Sequence, residues 1–193
     1  TGTQGHSAYP DRANNPIVAM VKLLDKLESH QLDVGTEHFD PSTLAITSVD
    51  TGNKASNVIP AVTKATVNIR FNDNHSGSSL VSWLNDEIKK VSVDYGIKFE
   101  TDFKISGESF ITPPGELSNL ISKAVKKELG VTPKLSTTGG TSDARFIKDI
   151  CPVTEFGLVG KTMHAVDERV EINQINQLKE IYTQILEAYF EKA

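Results

Sequence analysis

The sequence predicts an α/β (α+β) fold in two parts, a ferredoxin-like α/β sandwich over residues 1–112 followed by a second α/β lobe over residues 113–193. Three observations predict it. Helical and strand periodicities alternate before Pro113 in the order helix, strand, strand, helix, strand. Pro113-Pro114-Gly115 then interrupts the pattern, because prolines stop strand pairing and favour an extended path. Beyond it helices alternate with short apolar runs, as in a βα layer arrangement.

Asn14 and Asn15 precede Pro16, and Ile17, Met20, Val21, Leu24 and Leu27 recur at helical spacing, which predicts a capped helix with proline in its first turn. Thr43 to Val49 is β-prone, with Leu44 and Ile46 alternating, and Asp50-Thr51-Gly52-Asn53 supplies a turn. In the next run Ala65, Val67, Ile69 and Phe71 share one face and Thr66, Asn68 and Arg70 the other, so Arg70 stands on a polar sheet face. Ser78 and Ser79 open a second helix carrying Leu80, Leu84, Ile88 and Val91, and Gly96 stops it. Ile97, Phe99, Phe103 and Ile105 alternate with Lys98, Glu100, Asp102 and Lys104, which predicts a half-buried strand. The order is that of a β-α-β-β-α-β sandwich short of its first strand, of which Thr1 is expected to be the tail.

After the linker, a helix is predicted from about Glu116 to Leu129, a short strand near Leu135, a Gly-rich turn, a helix near Asp143 to Lys148 and a strand near Val153 to Phe156. Ile172, Ile175, Leu178, Ile181, Ile185 and Tyr189 mark a final helix. This lobe is short for an independent α/β sheet and is expected to pack on further chain.

Hydrophobic residues at 38% and charged residues at 23% exclude a disordered or fibrous class. A net charge of −5 with no dense Lys/Arg block argues against nucleic acid as a partner. No long uncharged apolar run suits a membrane span, so no membrane partner is expected. The start, Thr-Gly-Thr-Gln-Gly-His, lacks the basic and apolar regions of a signal peptide. Cys151, the single cysteine, cannot form an internal disulfide and is expected in the core. A cytoplasmic setting is the resulting expectation.

The turn Ser136-Thr137-Thr138-Gly139-Gly140-Thr141-Ser142-Asp143 falls between a predicted strand and a predicted helix, where backbone amides and the helix dipole favour an anion such as a carboxylate. It matches neither the P-loop spacing nor the dinucleotide fingerprint, and a plain tight turn accounts for it equally well. Arg145 follows and could offer a bidentate fork to a carboxylate, although a surface salt bridge is the commoner fate of an arginine. His164 lies in Gly160-Lys161-Thr162-Met163-His164-Ala165-Val166-Asp167-Glu168, a segment of loop character where a neutral imidazole could bind zinc. An exposed or hydrogen-bonded histidine is the more frequent state. Zinc needs three or four protein ligands, and His6, His30, His38 and His75 show no ligand-like spacing. His6 and Asn57 each have an ordinary loop or turn role open to them.

Taken together, Gly5-His6-Ser7-Ala8-Tyr9-Pro10, Ser56-Asn57-Val58-Ile59-Pro60, Thr138-Gly139-Gly140-Thr141-Ser142-Asp143-Ala144-Arg145-Phe146 and Met163-His164-Ala165-Val166-Asp167-Glu168 make the chain resemble, along essentially its whole length, the di-zinc amidohydrolase and exopeptidase family that includes desuccinylases, aminoacylases and glutamate carboxypeptidases. The third segment has the wording of the desuccinylase branch. The resemblance implies a ferredoxin-like lid and dimerisation domain over residues 1–112, followed by the C-terminal part of an α/β zinc-exopeptidase-like catalytic domain over 113–193. It implies a C-terminal piece of a longer polypeptide, inactive alone, with most metal ligands and the general base upstream.

The implied reaction removes succinate from an N-succinyl amide in diaminopimelate and lysine biosynthesis. Two zinc ions, with cobalt as an alternative metal, would lie about 3.5–4 Å apart and polarise the carbonyl and a shared water. His164 matches a metal ligand. His6 matches a catalytic lid histidine that reaches the partner subunit's site and donates to the oxyanion, which makes a homodimer the implied assembly. Tyr9, Asn57, Arg70, Ser106, Gly140, Thr141 and Arg145 match positions that hold a small-molecule substrate's carboxylates. The chain departs from the desuccinylase wording at Ser56, Gly160 and Asp167, where relatives often have asparagine. The readings set beside it are a deacylase or carboxypeptidase of the same family acting on another acyl amino acid, and a dimerisation module without activity.

Overall fold

The computed structural model describes residues 1–138, 140 and 142–191, and the chain divides into two units, Thr1–Ser109 and Phe110–Ala193. In the first unit β1 (Gly5–His6) is followed by a short 3-10 turn at Pro10–Arg12. Asn15 caps α1 (Pro16–Glu28), its Oδ1 accepting from the Ile17 N–H at 3.0 Å, with Pro16 in the first turn where no intrahelical donor is needed. β2 (Thr43–Asp50), β3 (Val58–Ile59) and β4 (Lys64–Arg70) follow. β2 pairs antiparallel with β4, and a register shift between Ile46 and Ser48 leaves Thr47 as an extra residue. Along β4 Ala65, Val67 and Ile69 turn inward while Thr66, Asn68 and Arg70 stay exposed, as the alternation predicts.

α2 (Gly77–Tyr95) starts earlier than its Ser78-Ser79 pair suggests, because Ser76 is the cap. The Ser76 Oγ accepts from the Ser79 N–H at 3.1 Å and the Ser79 Oγ accepts from the Ser76 N–H at 3.0 Å. Gly96 ends α2 with φ +60°, which a residue with a Cβ adopts only at a cost. The two helices cover the β2–β4 sheet with a core of Ala19, Leu23, Leu27, Leu84, Val91 and Ile97, against which Leu44, Ile69, Trp83 and Phe103 pack. Lys26 and Lys90 both close on the buried Glu87, tying α1 to α2 and holding the Glu87 carboxyl below its ordinary range through the Lys26 and Lys90 hydrogen bonds.

Ile97 to Ile105 does not form the predicted strand. Its apolar side chains do go inward, with Ile97 2% exposed and Phe99 and Phe103 against the core. Its described backbone pairing with another extended segment, however, is one reciprocal exchange: the Thr1 ammonium donates to the Lys98 carbonyl at 2.7 Å and the Lys98 N–H to the Thr1 carbonyl at 3.3 Å. One such exchange is not a ladder.

A polar knot fixes the chain beyond β4. The Asp33 carboxylate accepts from the Gly35 N–H at 2.7 Å, the Ser42 N–H at 3.2 Å and the Asn72 Nδ2 at 2.7 Å, and faces the His75 Nε2 at 3.2 Å. Burial works to raise the Asp33 pKa, but the donors from Ser42, Gly35 and Asn72 outweigh it and hold the carboxyl well below the usual carboxylate range. Asn72, 2% exposed, also donates to the Asp40 carbonyl at 3.0 Å.

The second unit holds α3 (Glu116–Leu129), α4 (Ala144–Ile147) and α5 (Ile172–Phe190). α3 packs on α5 around Ile121, Ala124, Val125 and Ile181, with Phe156 and Ile185 at the edge. The strands predicted near Leu135 and from Val153 to Phe156 are not formed, so this unit has no βα layers among its described residues. Extended segments need a neighbouring strand to satisfy their amides, and the described residues of the unit supply none, whereas helices satisfy their own. Half of the α5 apolar repeat is exposed, namely Ile172 at 77%, Ile175 and Tyr189. Cys151 is exposed too, against the expectation of a core position. Among the described residues no helix is long and apolar enough to cross a membrane.

Candidate functional site

β1 and β3 form a two-residue antiparallel ribbon in which Gly5 faces Ile59 and His6 faces Val58. The Ser7 N–H extends it by donating to the Asn57 carbonyl at 2.9 Å, and the Gly2 N–H donates to the Ala61 carbonyl at 2.7 Å. Residues far apart in sequence thereby become neighbours, with His6 and Asn57 side by side on an exposed rim. Close approach of the turn behind β1 requires glycine at position 5, since a Cβ there would stand 2.7 Å from that of Ala13.

The His6 Nδ1 accepts from the Ala8 N–H at 3.1 Å. In the neutral ring the proton therefore sits on Nε2, which leaves an exposed N–H donor. The Tyr9 ring lies 5.8 Å from that of His6, and the Arg12 guanidinium stands 4.9 Å from the Tyr9 centroid in a cation–π contact. Asn53 supports the same rim, its Nδ2 donating to the Val58 carbonyl at 2.8 Å. Arg12 and Asn53 were not singled out from the sequence. Only the strand register reveals that they meet the rim.

The structure brings together His6, Tyr9 and Asn57. Arg70 is placed on the other ribbon, at the end of β4 opposite Thr43, exposed on the polar face. The Asp33–Asn72 knot anchors the chain two residues after it. Ser106 is exposed in the irregular run after α2.

In the second unit Gly140 is exposed, while Thr141 lies outside the described residues. α4 is only four residues long and its N-cap Asp143 makes no side-chain cap, so the dipole argument for an anion at this turn loses its force. Arg145 keeps its own chemistry. Its guanidinium carbon lies 4.5 Å from the Phe146 centroid, and its Nε is buried without a hydrogen-bond partner among the described residues. A planar fork with an unused donor suits a carboxylate.

His164 is exposed at φ +59°, as is Asp167 at φ +59°. Left-handed non-glycine residues cost of the order of 1–3 kcal/mol each and cluster where function holds them. The His164 N–H donates to the Glu168 Oε2 at 3.2 Å. A hollow of about 300 Å³ beside this loop is lined by Leu158, Gly160, Thr162, Met163, Glu168 and Val170. Among the described residues no three His, Cys, Asp or Glu side chains converge to hold a metal ion. One imidazole does not complete a zinc ligand set, so the residues present do not by themselves fit a resident metal.

The family described as peptidase dimerisation domain matches residues 1–96. The chain is similar to the succinyl-diaminopimelate desuccinylase of Ruegeria pomeroyi, 65% identical over 190 residues that make up 98% of this chain and 50% of that protein. A protein of the same name from Cereibacter sphaeroides is 64% identical over 189 residues, again 98% of this chain and 50% of that one. The chain thus spans about half the length of the curated relatives it matches. Among solved structures it shares its fold with a tripeptidase from Staphylococcus aureus (TM-score 0.78, 20% identity, 97% of this chain and 48% of that one). A metallo-carboxypeptidase of the M20 family from Sulfolobus solfataricus has a TM-score of 0.66 at 14% identity, with 98% of this chain and 55% of that one covered.

Proposed function

We propose that the chain, whose residues 1–96 match the peptidase dimerisation domain family and which is similar over 98% of its length to desuccinylases, forms part of a metal-dependent amide hydrolase that removes succinate from N-succinyl-diaminopimelate. The observation that carries the reading is the His6 rim: an exposed Nε2–H donor fixed by the Ala8 amide, beside Tyr9 and Asn57. Water adds across the amide, giving succinate and the free amine. A negative oxygen develops at the attacked carbon, and a preorganised imidazole N–H stabilises it more than it stabilises the neutral carbonyl.

In this reading His6 donates to the oxyanion in the partner subunit's site of a homodimer built through the lid, residues 1–112. Tyr9, Asn57, Arg70, Ser106, Gly140, Thr141 and Arg145 hold the substrate's carboxylates, as guanidinium, hydroxyl and amide donors suit several anionic groups. His164 is one ligand of a zinc site, with cobalt able to substitute, and the remaining ligands come from residues outside those described. The substrate is a small molecule of amino-acid biosynthesis, and the setting is the cytoplasm.

The test uses the full natural chain, assayed with N-succinyl- and N-acetyl-diaminopimelate. Preference for the succinyl substrate in kcat/KM is expected. A clear preference for the acetyl substrate would move the protein to the deacylase side of the family.

A further inference from the structure

His6, Tyr9 and Arg12 recur at every third position, and two tight turns bring their side chains together. The Tyr9 N–H donates to the His6 carbonyl at 2.9 Å and the Arg12 N–H to the Tyr9 carbonyl at 3.1 Å. Side chains separated by one such turn lie near one another. The Tyr9 ring accordingly stands 5.8 Å from the His6 ring and 4.9 Å from the Arg12 guanidinium carbon. The loop that carries all three is closed at its base. Thr3 and Asn14 exchange backbone hydrogen bonds at 2.9 and 3.0 Å, and Pro10 fixes one φ within the loop.

Arg12 is the permanent cation of this group, and its charge is uncommitted. Among the described residues its guanidinium has no ion pair and no hydrogen bond, and the contact that holds it is the face of the Tyr9 ring. Asp11, next to it in the turn, does not pair with it. A cation held against a ring face spends none of its N–H donors there. Asn57, which lies beside His6, belongs to a loop over residues 51–57 whose one charged residue is Lys54, so that loop offers no carboxylate to neutralise the guanidinium. His6, Tyr9 and Arg12 are all exposed, which leaves a fixed imidazole donor and a free guanidinium on either end of a row joined by one phenol ring.

We infer that Arg12 is a specificity-determining residue, whose guanidinium receives a carboxylate of the substrate while the His6 Nε2–H receives the oxygen of the scissile amide. The inference rests on the reading of the His6 rim given above, in which the rim, and Arg12 with it, serves the partner subunit's site. A planar fork matches a carboxylate with two parallel N–H···O bonds, and fixing the fork on a ring lowers the ordering cost of binding. N-succinyl-diaminopimelate has three carboxylates: one on the succinyl group, one beside the scissile amide and one at the far end of the diamino acid. All three share the chemistry that Arg12 offers, and the experiment tells them apart.

Arg12→Gln and Arg12→Lys are made in the full natural chain. Four compounds are compared by turnover or, where turnover is slow, as competitive inhibitors. N-succinyl-diaminopimelate keeps all three carboxylates, α-N-succinyl-lysine lacks the far one, ε-N-succinyl-lysine lacks the one beside the amide, and N-butyryl-diaminopimelate lacks the succinyl one. For the intact substrate Arg12→Gln is expected to raise KM about 10–100-fold, the loss of a charge-assisted pair, with a smaller effect on kcat. Arg12→Lys keeps the charge without the fork and should fall between the two. With one truncated compound the difference between wild type and variant should vanish, which names the carboxylate.

Equal KM values for wild type and Arg12→Gln on the intact substrate overturn the inference. A loss of the same size on all four compounds does so too, because Arg12 would then shape the loop without binding an anion. The desuccinylase reading is judged separately, by the wild-type preference between N-succinyl- and N-acetyl-diaminopimelate. If the acetyl compound is preferred, that reading fails, and Arg12 is judged on N-acetyl-diaminopimelate and the two acetyl-lysines, where equal KM values for wild type and variant overturn its role as well. A wild-type protein that turns over none of these compounds overturns both.

Discussion

The two units treat their apolar residues differently. In Thr1–Ser109 a paired sheet lies under α1 and α2, and Ala19, Leu23, Leu27, Leu84, Val91 and Ile97 are buried at their junction. In Phe110–Ala193 the buried cluster is Ile121, Ala124, Val125 and Ile181, and large side chains such as Ile150, Ile172, Leu186 and Phe190 stay exposed. Both have amphipathic helices of good length. The difference lies in the strands: β2 finds β4, whereas the extended runs of the second unit find no partner among its described residues. A helix carries its hydrogen bonds with it, but a strand exists only in company.

The largest effect expected separates the chemistry of the units. His6→Ala in the full natural chain should lower kcat by about 10²–10³ while leaving metal content unchanged. Metal analysis beside steady-state kinetics checks this, and a loss of metal would show that His6 acts as a ligand instead. Next comes the packing contrast. Leu27→Ala, in the core of the first unit, should destabilise by about 2–5 kcal/mol, whereas Leu186→Ala, on the exposed face of α5, should cost roughly 0.5 kcal/mol or less. Urea unfolding of the 193-residue chain measures both, and equal costs would erase the distinction between the units.

A further effect concerns the polar knot. Asn72→Ala removes a buried donor from Asp33 and should cost about 1–3 kcal/mol near neutral pH. Asp33 has a lowered pKa in the folded chain, so its contribution is fully present above the ordinary aspartate value and is lost as pH falls through the folded-state value. Without the Asn72 donor that value moves up toward the ordinary one. Acid unfolding followed by circular dichroism should therefore begin at higher pH in the variant than in wild type.

Much of the fold is legible in the residues. α3 runs from Glu116 to Leu129 as its period predicts, Asn15 caps α1, Gly96 stops α2, and β4 turns Arg70 outward. These are local matters of periodicity, capping and the freedom of glycine at positive φ. The Asp33–Asn72 knot was not legible, because it links residues of ordinary turn character across 39 positions of sequence. For the candidate site, the four sequence segments named the candidate residues, but not which of them meet.

The sequence by itself determined the helices, their caps and the alternation of β4, because those depend on neighbours within a few residues. Tertiary structure alone decided that His6 lies beside Asn57 and that Ile97 to Ile105 stays irregular. Each of those outcomes is a hydrogen bond or register between segments distant along the chain, and nothing in a local window says which partner a backbone amide will find.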